Sequence, residues 1–169
     1  MTRSRAVATT NGRKTGRQAE PHAATEVAEL IEDCCAHVSS ITELAGITSR
    51  ALCAWYEYED DEPHLGHCCD HVLRVLTEVQ TALVTPGVSH DRSPLTRAAE
   101  IVKRCDAQRR LLCPAVHVVR AIIYILQGVE PDYHDQVLLA LRDLESGILH
   151  VMNALERVVQ GKARGFFQR

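Results

Sequence analysis

Between Ala24 and Tyr58 the chain sets apolar or small residues at Val27, Ile31, Cys34, Val38, Ile41, Ala45, Thr48, Leu52 and Trp55, in alternating steps of four and three. Such spacing keeps one face of a helix buried and excludes a strand, whose period is two. It predicts one long amphipathic helix. The pattern returns 71 residues later at Ala98, Val102, Cys105, Arg109, Leu112, Val116, Val119, Ile123 and Leu126. Arg109 is the one break in the second set, and a long arginine lays its stem along a core edge. The string Ala28-Glu29-Leu30-Ile31 also returns as Ala99-Glu100-Ile101-Val102, three residues before a cysteine in each case.

The segment after each long helix repeats as well. Leu65, Cys69, Val72, Leu76, Val79 and Leu83 correspond, 72 residues on, to Val137, Leu141, Leu144, Ile148, Val151 and Leu155. A Glu-Pro pair separates the two helices of each half, Glu62-Pro63 and Glu130-Pro131. Two tandem helical hairpins follow, with the pattern of an internal duplication. The expected fold is all-α, a four-helix up-down bundle. Its expected core contains Ile31, Ile41, Leu52, Val72, Leu76, Leu112, Ile123, Leu141, Leu144 and Ile148. The expected organisation is a disordered basic segment over 1–22, a bundle over 23–160 (hairpins 24–85 and 93–160, linker 86–92) and a basic tail over 161–169.

Local signals set the helix ends. Thr25 is a good N-cap, with Glu26 and Glu29 in the first turn. The second helix is expected from about Pro63 to Val84, stopped by Thr85-Pro86-Gly87, and Ser93-Pro94 opens the third. Pro114 lies inside that third pattern and is expected to kink or split the helix, because it has no N–H for the carbonyl four residues back. The fourth is expected from about Asp132 to Val159, ended by Gly161. First helices of this length also suit a swapped or extended dimer, in which the unpaired length finds a partner.

Charge divides the chain. The total is −3, while residues 1–20 and 157–169 each carry +4, so the middle holds −11. Basic ends on an acidic body touch nucleic acid or anionic lipid, or fold back on the body itself. The tail also carries Phe166-Phe167 between cations, as a docking peptide or a segment folded onto the bundle. No continuous apolar run approaches 18 residues, so no membrane span is expected. Seven cysteines, an odd number placed within helical patterns, favour a reducing, cytoplasmic setting.

The densest chemistry opens the second helix, where His64, His67, Cys68, Cys69 and His71 stand together. His64, Cys68 and His71 share one flank at i, i+4 and i+7, while Cys69 points into the apolar stripe. A hairpin folded near residue 60 brings Cys53 level with Cys68 and Cys69. Thiolates and imidazoles so placed suit zinc or copper, which makes Cys53, His64, Cys68, Cys69 and His71 the candidate metal ligands. Against this stands the ordinary role of free cysteine as a small core hydrophobe. Cys34-Cys35-x-His37 is a second cluster, and Cys113 and His117 form an i, i+4 pair. The order His117-Val-Val-Arg120-Ala121 resembles a phosphotransfer histidine followed by a basic and a small residue, without the usual glycine. The acidic corner Glu57 to Glu62 lacks the glycine and ligand spacing of a calcium loop.

Glycine-rich phosphate loops, Gly-x-Ser-x-Gly, His-Glu-x-x-His and Glu-x-x-His are all missing from the sequence. The expectation is therefore a non-catalytic helical-bundle protein, an adaptor or regulatory factor acting through a protein partner. No cofactor is expected on that reading, a homodimer is possible, and the basic termini offer a nucleic-acid contact. The alternatives are a metal- or thiol-responsive protein and a histidine phosphotransfer module.

Overall fold

The computed structural model describes residues 19–56, 65–84, 94–128 and 135–162. The side chains of 19–26, 55–56, 94–95 and 161–162 are not among those described. Four helices, α1 (Ala19–Tyr56), α2 (Leu65–Val84), α3 (Pro94–Gln127) and α4 (Asp135–Arg157), are followed by a π-helical turn over Val158–Lys162. Helices that follow one another in the chain pack together, and α4 closes the ring against α1, so that α1 and α3 lie on one diagonal and α2 and α4 on the other. This is the all-α bundle that the two periodic hairpins predict.

The stripes account for the core. Every predicted position on α2 is buried, as are Val38, Ala45 and Leu52 on α1, Leu112, Val119 and Leu126 on α3, and Leu141, Leu144, Ile148 and Leu155 on α4. Ile31 departs slightly, being half-buried against the edge of the core. Thr48 sits in the stripe because its hydroxyl bonds back to the Leu44 carbonyl at 2.8 Å, satisfying its one polar group locally. Burial of this kind supplies about 1.5–3 kcal/mol per large aliphatic side chain.

Several boundaries differ from the expected ones. α1 begins at Ala19, six residues before Thr25, and takes Pro21 into its first turn, where a missing N–H costs nothing. The described part of α2 opens at Leu65, and Pro63 lies outside the described residues. Pro114 does not split α3, which runs unbroken from Pro94 to Gln127. Pro114 faces solvent, so water can satisfy the carbonyl it leaves without an amide. The described part of α4 opens at Asp135, Asp132 lying outside the described residues, and helical structure continues past Gly161 to Lys162 through the wider π turn. Val158 is buried there and Val159 packs on the core, which holds the last turn down. Among the described residues α3 is the one helix long and apolar enough to cross a membrane, with a mean hydropathy of 1.4 over its best window. Leu112, Val116, Val119, Ile122 and Leu126 give that apolar content a use inside the bundle.

Two glycines set how closely helices approach. A Cβ on Gly66 would collide with Cys53 Sγ and lie 3.2 Å from the Cys53 nitrogen and 3.3 Å from its Cα. A Cβ on Gly147 would collide with Ile41 Cγ2. Gly66 thus seats α2 on α1, and Gly147 seats α4 on α1. Ser49/Asp70 beside Cys53/Gly66, and His37/His150 beside Ile41/Gly147, have residue numbers that fall on α1 as they rise on its partner, so both contacts are antiparallel.

Candidate functional site

The described members of the predicted metal set lie at the start of α2 and, for Cys53, on the facing part of α1. Cys69 is fully buried, and its thiol donates to the Ala45 carbonyl of α1 at 3.6 Å. Burial, with the Asp70 carboxylate beside it, pushes the Cys69 thiol up to about 12. Cys53 lies opposite Gly66, about one turn short of the level expected, and stays close enough to Cys69 to influence its charge. Cys68 is exposed. His71 is half-buried and receives a hydrogen bond on Nδ1 from Arg74 Nη2 at 2.9 Å, which puts a guanidinium where a cation would approach that nitrogen. His64 lies outside the described residues, as do the acidic corner at 57–62, the linker and Phe166-Phe167. Among the described residues no three His, Cys, Asp or Glu side chains are arranged to hold a metal ion.

Polar residues still organise this end of α2. Ser49 Oγ of α1 donates to Asp70 Oδ1 and also faces the Gly66 carbonyl at 3.4 Å. His67 Nδ1 stands 3.7 Å from the other Asp70 oxygen. Ser49 thus fastens α2 to α1, while His67 flanks Asp70 within α2.

His117 is exposed on α3, with Cys113 Sγ 3.9 Å from its Nε2. Arg120, the basic residue of the phosphotransfer-like order, is tied through Nε to Glu145 Oε1 of α4 at 2.5 Å. A phosphoryl group on His117 would therefore compete with a carboxylate for that cation.

A concavity lies elsewhere, between α1 and α4. It encloses about 480 Å³ and is lined by Leu30, Asp33, Cys34, Ala36, His37, His150, Asn153, Ala154 and Arg157. Buried Cys34 and Ala154 and half-buried Leu30 make an apolar floor. Exposed Asp33, His37, His150, Asn153 and Arg157 make a polar rim. The His37 and His150 rings meet across the groove, 4.6 Å between centroids with 32° between planes.

Burial, together with the neighbouring Cys105, Cys35 and Asp33, pushes the Cys34 thiol up to about 11 and leaves little thiolate near neutral pH. Burial does the same to Cys105, up to about 11, against the opposing pull of Arg104. The seven cysteines are all free thiols.

Sequence reading picked out Cys34 and His37 as a pair and missed the other wall of the groove. His150, Asn153 and Arg157 sit on α4, more than a hundred residues away. The available signal was their common helical face at i, i+3 and i+7. No family model, no curated protein and no solved structure matches this chain.

Proposed function

We propose that this chain is a non-catalytic helical-bundle protein, an adaptor or regulatory factor, that works by receiving a segment of another macromolecule in the groove between α1 and α4. One observation carries the reading: a concavity of about 480 Å³ with an apolar floor and a polar rim. Binding pockets are concave and largely apolar, with a few placed polar groups that fix orientation. The small floor residues Cys34 and Ala154 leave room for an apolar side chain, and the tilted His37/His150 pair offers ring surface beside it. The acidic middle of the chain, −11 in total, favours a segment with positive charge around that anchor. Seven free cysteines within helices support a reducing, cytoplasmic setting.

The test is selection of displayed peptides against the full chain, with the binding position read from the imidazole resonances of His37 and His150. Binders should carry an aromatic or large aliphatic anchor with basic flanks, and should lose affinity for an Ala36→Trp variant. Ala36 is exposed at the rim, so this substitution fills the groove without touching the core. Binders that map elsewhere, or that hold the variant equally well, sink the reading. Near-stoichiometric zinc or copper, lost in a Cys68→Ser/His71→Ala variant, would replace it with the metal-responsive alternative.

A further inference from the structure

We propose that the outward face of α1, with the adjoining start of α4, docks a second copy of this chain, whose own α1 lies antiparallel across Ile47. The inference goes beyond the groove reading and uses a different stretch of the same two helices.

Exposed apolar residues locate the face. Ile47 of α1 is 58% exposed and Leu139 of α4 is 61% exposed. At the register set by His37/His150 and Ile41/Gly147, Leu139 stands within one turn of Ile47. Half-buried Leu44 and Ala140 lie between them. Along α1 the same outward side continues through Ser40, Ala51 and Ala54, all exposed and small enough for a second helix to approach. The other exposed large apolar residues among those described, Val84 and Tyr124, stand singly on α2 and α3. From Ser40 to Ala54 the face runs about 21 Å at the helical rise, and two helices side by side are about 20 Å across. Roughly 400 Å² of each copy is then covered, which is the low end for a specific interface and makes the dimer a weak, reversible one.

Charge identifies the occupant. Glu43 and Arg50 stand four residues before and three residues after Ile47, and both are exposed. Among the described residues neither joins an ion pair or a side-chain hydrogen bond within the chain. They cannot serve each other, because helix neighbours pair at three or four residues and these are seven apart. A second α1 lying antiparallel across Ile47 brings Glu43 of each copy level with Arg50 of the other, so both charges are matched twice. A parallel copy would set Glu43 against Glu43 and Arg50 against Arg50. The start of α4 adds Arg142 and Asp143, exposed and opposite in sign. The face therefore has no net charge, while the middle of the chain carries −11. A basic partner gains nothing from such a face, and a second copy meets its complement there. Nearer the start of α1, the exposed acids Glu29, Glu32 and Asp33 outnumber Arg157 across the groove, and they bound the matched stretch at Ser40.

The experiment is sedimentation velocity of the full chain from about 10 μM to 1 mM. Beside it run Glu43→Arg, Arg50→Glu and a one-to-one mixture of the two variants. Both positions are exposed, so the fold is expected to survive, and circular dichroism melting checks that it does. The parent should pass from monomer to dimer across the range. Each variant alone sets like charges against one another in both matched pairs, and its dimerisation should weaken by about tenfold or more. The mixture restores opposite charges and should dimerise as the parent does. A parent that stays monomeric throughout would overturn the inference. A parent dimer that both variants retain would place the contact on another face and overturn it too. Variants that remain monomeric when mixed would reject the antiparallel match of Glu43 with Arg50, and the proposed docking with it.

Discussion

Hairpin α1/α2 is fastened by small residues in close approach. Gly66 lies against Cys53, Ser49 donates to Asp70, and the buried Cys69 thiol donates to the Ala45 carbonyl. Hairpin α3/α4 is fastened by long charged side chains that reach from one helix to the other. Arg109 bridges Asp106 at 3.2 Å on its own helix and Glu156 at 2.9 Å on α4, and Arg120 meets Glu145. The two hairpins share the phase of their apolar positions and differ in their fastenings. A repeat can therefore preserve which face is buried while each copy closes its seam with different chemistry. Seams of these two kinds respond differently to volume, to pH and to salt.

The largest effect is expected at the close approach. Gly66→Val places branched carbons against the Cys53 backbone, which no rotamer change can move aside. Overpacking of this kind costs about 1–3 kcal/mol, and here the upper end is expected because backbone and not a flexible tip is struck. Gly147→Ala should cost less, about 1–2 kcal/mol, because the collision is with the Ile41 side chain and alanine regains about 1 kcal/mol of helix propensity. Denaturant midpoints measure both. A Gly66→Val chain as stable as the parent would mean that α2 does not sit on α1 at this spacing.

These two glycines also show how much was legible in the sequence. The period of apolar residues located all four helices and nearly all of the core, because burial of one helix face is written directly into spacing. Nothing in spacing marks a close approach, since a glycine within a helix reads only as a local cost. Arg109 appeared as a break in the apolar stripe, and its use as a bridge between α3 and α4 emerged only with its partners in place. The groove was half legible. Cys34 and His37 stand together in the chain, but His150 joins them through the packing of the first helix on the last, a register that hairpin reasoning does not supply.

Titration should separate the seams next. The thiols of Cys34, Cys69 and Cys105 are pushed up by burial from an ordinary value of 9.0 to about 11, 12 and 11. In that range the unfolded chain ionises first while the folded chain keeps its protons. Stability from these sites is full below pH 9 and falls as pH rises from there toward 11–12. Cys69→Ala, although it opens a small cavity, should flatten part of that alkaline loss. Unfolding curves whose alkaline slope is unchanged in the variant would contradict the buried position of this thiol.

The charged seam between α3 and α4 has its window at acid pH, while Cys105 on α3 shares the alkaline one. Hydrogen bonds from Arg109 and Arg110 hold the Asp106 carboxyl below its ordinary value of 3.8. The folded chain thus gives up this proton more readily than the unfolded one. The contribution is present above the ordinary carboxylate value and is lost as pH falls through the depressed one. Arg109→Met keeps most of the stem that covers the core edge and removes the charge. It should cost about 1 kcal/mol at neutral pH, because two carboxylates on facing helices lose their shared cation. The difference between variant and parent should shrink below pH 4. A cost that is the same at pH 7 and at pH 3 would assign the role of Arg109 to packing alone.

The smallest effect is expected at Arg120 and Glu145, and it tests whether the charged seam acts as a unit. Their contact is short, 2.5 Å, but the Arg120 side chain is half exposed. Exposed pairs contribute about 0.2–1 kcal/mol, and salt screens them with a length of about 10 Å at 0.1 M. Arg120→Gln should therefore cost no more than about 0.5 kcal/mol, and less still in molar salt. The double variant with Arg109→Met is the sharper measurement. Arg120 lies eleven residues along α3 from Arg109, about 16 Å at the helical rise, and the two share no partner. Their costs should add within about 0.5 kcal/mol. Additivity would mean that two separate bridges close α3 against α4, so the seam can lose one and still hold its register. A coupling larger than that would mean that the helices shift along one another when the first bridge is cut, and the charged seam would then set register as strictly as Gly66 does between α1 and α2.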